Sequence, residues 1–414
     1  MLLSPYLKVR GWSYQQSPAG TPRAPAGPIF RPKATQDFAP TLGQAALEDA
    51  RDLDEYMISY PSWPGIKAFS AALLAMLHED THTELGPILE CALGKESSSA
   101  VLTIDGAGAH TNGTITMLNA NLPAPIVLIE GDDWQFYERP VKAFNTGTFV
   151  LTLAIKLPVG VLPVTVYNPQ SANGNCWQES LDVGATFRVE INRRGQTNET
   201  KVRADVCVPS ELSIRYDNEG RIGFGIGWTG AEWKVGSAPN VQSVGRNDEQ
   251  FLSYHSTCFI NDLDVPGVPN KVPLRGFTLD VAPEWVPVPG QTGEDGSDAD
   301  PDSNLILWER GKGMSKGLSL QFAVAAGDTR FTDRENLIEK GIFLRFKSKV
   351  GGVATPTRVM SVWIPEVTPN DNPTKGANGG IEADDQSFVI GQSTLLSAAT
   401  GLLTKCAIAI TEYP

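Results

Sequence analysis

The sequence predicts a mainly β protein: two tandem β-domains, each with one short flanking α-helix, behind an extended N-terminal arm. Three observations predict it. Apolar and polar residues alternate with period two between 201 and 228; short alternating segments recur from about 274 to 411; and the first 42 residues are rich in proline, glycine and alanine. The limits that follow are an arm with a short helix over 1–62, a first β-domain with insertions over 63–245, and a second β-domain over 246–414.

Residues 1–42, above all 17–28, read as an extended arm with little core of its own. Residues 45–56 are charged, carry Ala and Leu, and read as a short helix. Gly86-Pro87 supplies an N-cap and a first helical residue. Ile88, Leu89, Ala92 and Leu93 then form an apolar stripe, and Gly94 ends it. Val202, Ala204 and Val206 alternate with Lys201, Arg203 and Asp205; Leu212, Ile214 and Tyr216 alternate with Glu211, Ser213 and Arg215. The turn signal Asp217-Asn218-Glu219-Gly220 follows. Ile222, Phe224, Ile226 and Trp228 next alternate with Gly223, Gly225 and Gly227. This is an antiparallel meander with one apolar face, and the bare glycine face predicts a close backbone approach.

The polar stretch 236–249 is the internal boundary. Beyond it strands are expected over 274–280, 318–324, 342–346, 359–364, 388–396 and 405–411. The capping-box pattern Thr332-Asp333-Arg334-Glu335, with Gly341 as terminator, predicts a helix over 331–341. Both halves thus show a short helix followed by strands, which raises a duplication as an expectation.

Composition bounds the function. At 414 residues and 41% hydrophobic content the chain can bury more than one core. It has no run of 18 apolar residues and no signal-like N-terminus, so no membrane span and cytoplasmic folding are expected. The five cysteines are dispersed and odd in number. That pattern fits neither a disulfide framework nor a zinc knuckle, and predicts buried thiols. A net charge of −13 excludes clamping of nucleic acid, which needs clustered Lys and Arg.

The segment Glu84-Leu85-Gly86-Pro87-Ile88-Leu89-Glu90-Cys91-Ala92-Leu93-Gly94 resembles one found in tail tube proteins of long-tailed bacteriophages. The C-terminal half is similar in order and spacing: strands near Phe277 and Leu320, a helix over 333–340, the strand 342–346, and a strand ending in Trp363-Ile364-Pro365-Glu366-Val367. The last two strands end near Tyr413. The resemblance covers about residues 60–414. It implies β-sandwich or barrel-like tube domains and a structural virion protein with no catalytic residues, metal or cofactor. Such subunits, trimeric or hexameric here, form rings that stack into a tail tube. The tube is assembled in the host bacterial cytoplasm, contacts other tail proteins, and passes DNA through its lumen without specific binding. An acidic chain suits a lumen along which DNA slides. Insertions at 105–147 and 287–304, with the 1–42 arm, exceed the compact pattern and read as surface decorations.

Two other virion roles, tail terminator and capsid decoration, remain alternatives, and one enzymatic reading competes. His78-Glu79-Asp80-Thr81-His82 matches H-E-x-x-H, in which two histidines one helical turn apart bind zinc and the glutamate is the general base. The helix-forming composition of 68–77 favours this zinc metallopeptidase. Against it, the third-ligand candidates Glu84, Glu90 and Glu96 lie too near the motif, and Leu85 and Ile88 replace the Gly and His of the longer pattern. The resemblance also makes 66–77 a strand. In the acidic loop 294–309, Asp298, Asp300, Asp302, Asn304 and Glu309 have calcium-loop spacing, but Ser303 replaces the turn glycine. A hydrated, self-repelling loop explains it more simply. Only four histidines are present (78, 82, 110 and 255), and no nucleophile elbow or P-loop. Trp228, Trp233, Trp285, Trp308 and Trp363 read as core or interface anchors before they read as a carbohydrate platform.

Overall fold

The computed structural model describes residues 8–17, 29–30, 58–59, 67–77, 86–96, 100–169, 172, 174–178, 186–194, 199–216, 223–230, 232–236, 251–262, 271–272, 274–289, 306–322, 339–348, 359–370, 374–378, 381–391 and 408–413. The chain is mainly β and antiparallel. The N-terminal elements are β1 (Lys8–Ser17), β2 (Ile29–Phe30), β3 (Ile58–Ser59), β4 (Lys67–Leu77), helix α1 (Gly86–Ala92) and β5 (Lys95–Glu96). Next come β6 (Thr114–Thr116), β7 (Ile126–Gly131), β8 (Phe136–Asn145), β9 (Val150–Leu153) and β10 (Pro163–Tyr167). They are followed by β11 (Asn175–Gln178), β12 (Thr186–Arg194), β13 (Glu199–Tyr216), β14 (Gly223–Gly230) and β15 (Glu232–Gly236). The rest are β16 (Phe251–Asp262), β17 (Lys271–Val272), β18 (Leu274–Pro289), β19 (Ile306–Phe322), β20 (Lys340–Ser348), β21 (Val359–Pro369), β22 (Thr374–Asn378), β23 (Ile381–Ile390) and β24 (Ala409–Tyr413).

The expected meander is β13 against β14, with Leu212 opposite Ile226 and Ile214 opposite Phe224. At Gly227 the close neighbours are side chains, not the expected backbone: it sits opposite Glu211 at a β-bulge, where a Cβ would lie 3.1 Å from both Glu211 Cβ and Ser210 Oγ, and the nearest backbone atom, Glu211 N, is at 3.5 Å. β13 is a corner strand. Its first part pairs with β12 and β15, and its second part with β14 and β18. Between them Val206 takes φ 52°, a conformation costly for a β-branched residue, and the Trp308 indole donates to its carbonyl at 2.8 Å.

Helix α1 ends as its sequence predicts. Leu93 N donates to Leu89 O at 2.8 Å, and Gly94 adopts φ 111°, the left-handed stop that glycine adopts at no steric cost. The Arg310 guanidinium of β19 donates to the helix-end carbonyls of Cys91 (3.1 Å) and Ala92, and lies 5.5 Å from the Trp285 ring centroid.

Strands from the two sides of residue 245 share hydrogen bonds: β13 pairs with β18, and β11 with β24. One hydrophobic core draws on both, from Ile88 to Ile410. Residues 8–17 of the expected arm form β1, paired with β12 along its length. Residues 331–338 of the second expected helix lie outside the described residues, as do the expected helix at 45–56 and the boundary stretch 237–250, while Lys340 and Gly341 already belong to β20.

The clearest separate unit contains the 105–147 stretch expected as a surface decoration and extends beyond it on both sides. Residues 100–169 fold into a five-stranded antiparallel sheet in the order β10-β7-β8-β9-β6. It has its own core around Ile115, Ile129, Phe144 and Leu151. The chain leaves from β5 and returns at β11, and these two pair, Trp177 opposite Lys95. Its ends are therefore adjacent, as for an inserted domain. Buried Asn168 staples the neck: its amide donates to Ala100 O (3.0 Å) and Leu122 O (3.2 Å) and accepts from Ala124 N (2.8 Å).

Candidate assembly surfaces

Most of the sequence-derived chemical candidates lie outside the described residues. His78, Glu79, His82 and Glu84 lie outside the described residues, and the segment leading into them, β4, is a strand paired with β14. Glu90 stands on α1 and Glu96 on β5. Residues 298–304 are also outside the described set; Glu309 is exposed on β19, opposite Val286. Among the described residues no three His, Cys, Asp or Glu side chains group as a metal set. His110 ties a surface turn, its Nε2 bonded to Asp105 O at 2.9 Å and its Nδ1 accepting from Thr116 N at 3.3 Å.

Cys91, Cys176, Cys207 and Cys258 are buried thiols. Burial pushes the Cys91 thiol up to about 12, against the opposing charge of Arg310, so it stays protonated and unreactive at neutral pH. Trp228, Trp308 and Trp363 are buried in the cores. Half-buried Trp285 donates to Pro209 O at 2.6 Å. These four rings are spent on packing, and the Trp233 side chain lies outside the described residues.

What the fold does assemble is a docked insert with a free outer end. The docking seam packs Ile126, Ala154 and Ile155 of the insert on Phe343, Trp363 and Ala409 of the main body. Tyr413 Oη donates to Ile126 O at 3.3 Å across the same seam. Buried Glu138 of β8 forms an ion pair with Arg345 of β20. Neighbouring Arg139 is also buried, and donates to Lys156 O at 3.2 Å and Glu138 O at 2.8 Å. Burial first, then the charge of Arg345, brings Arg139 down to about 10, which leaves it protonated at neutral pH. Burial and Arg345 lower Lys347 in the same direction.

At the other end of the insert, the turns 131–135 and 158–162 are pinned together. Asp132 N donates to Leu162 O at 2.9 Å, and Leu162 N to Asp132 Oδ1 at 3.0 Å. Asp133 accepts from Gln135 N at 3.1 Å and from Tyr137 Oη at 2.5 Å. Trp134 and Val159 project there, 82% and 89% exposed. The sequence reading missed Trp134, Glu138 and Arg345. The turn Gly131-Asp132-Asp133 between two β-rich runs was the available signal for the first; ion pairs between distant strands leave none.

No family model matches the chain. A 73-residue stretch is 32% identical to part of the potassium-transporting ATPase potassium-binding subunit of Clostridium perfringens. The stretch is 18% of this chain and spans only 12% of that protein's length, so it assigns no family. No helix among the described residues is long and apolar enough to cross a membrane.

Proposed function

We propose that the chain is a structural virion protein, the ring-forming subunit of a bacteriophage tail tube, with no catalytic role. The observation that carries the reading is the strand order after residue 274. β18, β19, β20, β21 and β24 overlap the strands the resemblance to tail tube proteins expects, β23 meets the expected strand 388–396 only at 388–390, and α1 falls on the resembling segment 84–94. Antiparallel sheets with open edges suit such a role. Among the described residues β15 pairs only with β13, and β22 only with β23. An open edge is a template for a strand of another chain, and head-to-tail pairing of unlike edges closes into a ring when the rotation divides a full turn.

In this reading the segments on either side of residue 245 are two tandem tube-like β-sandwich domains fused through β13 and β18. Three chains then supply six domains; a first half that only decorates the second requires six chains. The acidic balance lets DNA pass the lumen without being held. The test is the mass of the purified full chain by light scattering across a range of concentrations. A discrete species of three or six subunits is expected. A monomer at every concentration defeats the proposal; a hexamer defeats only the tandem-domain part.

A further inference from the structure

We propose that the outer end of the inserted β-unit, centred on Trp134, is a docking surface for a different protein that offers an apolar recess edged by lysine or arginine. The inference rests on this chain's insert and is independent of the tail tube reading. Four exposed apolar side chains lie at the start of β8 and in the two pinned turns: Trp134, Phe136, Val159 and Leu162. Their backbones are fixed by the hydrogen bonds that pin the two turns to one another. A tip this well held loses little freedom on binding.

Trp134 is also strained. Its φ of 61° lies in the left-handed region, which costs a non-glycine residue roughly 1–2 kcal/mol, and it contributes nothing to the insert's core. Glycine or asparagine would relax that position. A large ring held outward in an unfavourable conformation points to recognition, and tryptophan is the side chain most enriched at binding hot spots.

Charge selects the partner. Glu130, Asp132 and Asp133 border the patch, and neither 126–135 nor 157–167 contains a Lys or Arg. The identical acidic tip of a second copy is repelled by this one, and so is an anionic bilayer. A basic rim around an apolar recess complements both features. The four side chains expose on the order of 500 Å², below the ~800 Å² per partner of a standard interface, so the contact is short-lived and salt-sensitive.

The test places the photo-crosslinking residue p-benzoylphenylalanine at position 159 of the full chain, in the cells that make it. Irradiation is expected to join it to one other protein, at a segment where apolar residues are flanked by Lys or Arg. Trp134→Gly, which relieves the backbone and leaves the insert's core intact, should cut that yield about tenfold, as loss of a hot spot does. Crosslinks only to a second copy, only to lipid, or to nothing would overturn the proposal. So would a yield that Trp134→Gly leaves unchanged.

Discussion

Neutralising Glu138 should loosen the whole insert. Its carboxylate is buried and pairs with Arg345, while Arg139 and Lys347 bring two further cations to the same seam. Glu138→Gln therefore leaves three positive groups close together with no counter-charge. Breaking one side of a buried pair costs about 3–5 kcal/mol, and the partial exposure of Arg345 (17%) places the effect near the lower bound, about 3 kcal/mol. Arg345→Met should cost a similar amount by removing the ion-pair partner of the carboxylate, which Arg139 and Lys347 face without pairing to it among the described residues. The double variant should cost about as much as either single one, a coupling of roughly 2–3 kcal/mol. A chain with two cores need not unfold in one step, so the assay is native-state hydrogen exchange at the amides of β7 and β24, which flank the seam. Opening there should become about a hundredfold more frequent in each single variant. Additive effects, with the double variant costing the sum of the singles, would refute the reasoning.

Trp363→Ala should destabilise by about 3–5 kcal/mol, because it empties the seam under Ile126 and Ile155; urea unfolding measures it. Arg310→Ala should cost about 2 kcal/mol and lower the melting temperature, since it uncaps the end of α1; Arg310→Lys should recover only part of the loss. Stability should fall as pH rises from about 9 to 12, because the unfolded chain ionises Cys91 in that range while the folded one keeps it neutral. The full difference is about 4 kcal/mol, and Cys91→Ala should flatten that part of the profile. Gly174→Ala should destabilise the neck of the insert, because the new methyl group would strike Glu412 O and come within 3.1 Å of Pro169 O; proteolysis within 100–169 reads it.

Local pattern made much of the fold legible. The period-two runs over 201–228 announced β13 and β14, and Gly86-Pro87 with Gly94 set the limits of α1 to within two residues. The strand β4 shows where pattern misleads. The Ala and Leu of 67–77 favour a helix by composition, yet pairing with β14 makes them a strand. The insert was legible as extra length but not as a unit, because its core joins residues as far apart as Leu102 and Val166. The seam was hidden for the same reason: Glu138 and Arg345 meet only once the sheets are stacked. Trp134 was not legible because it sits in a turn, where no periodicity marks which way a side chain faces.

Electron microscopy of the purified full chain tests the central claim most directly. The account predicts closed rings that stack into hollow tubes, with averaged images showing either a threefold ring with sixfold pseudo-symmetry or a true sixfold ring. Dispersed monomers, or particles with no central lumen, would contradict it.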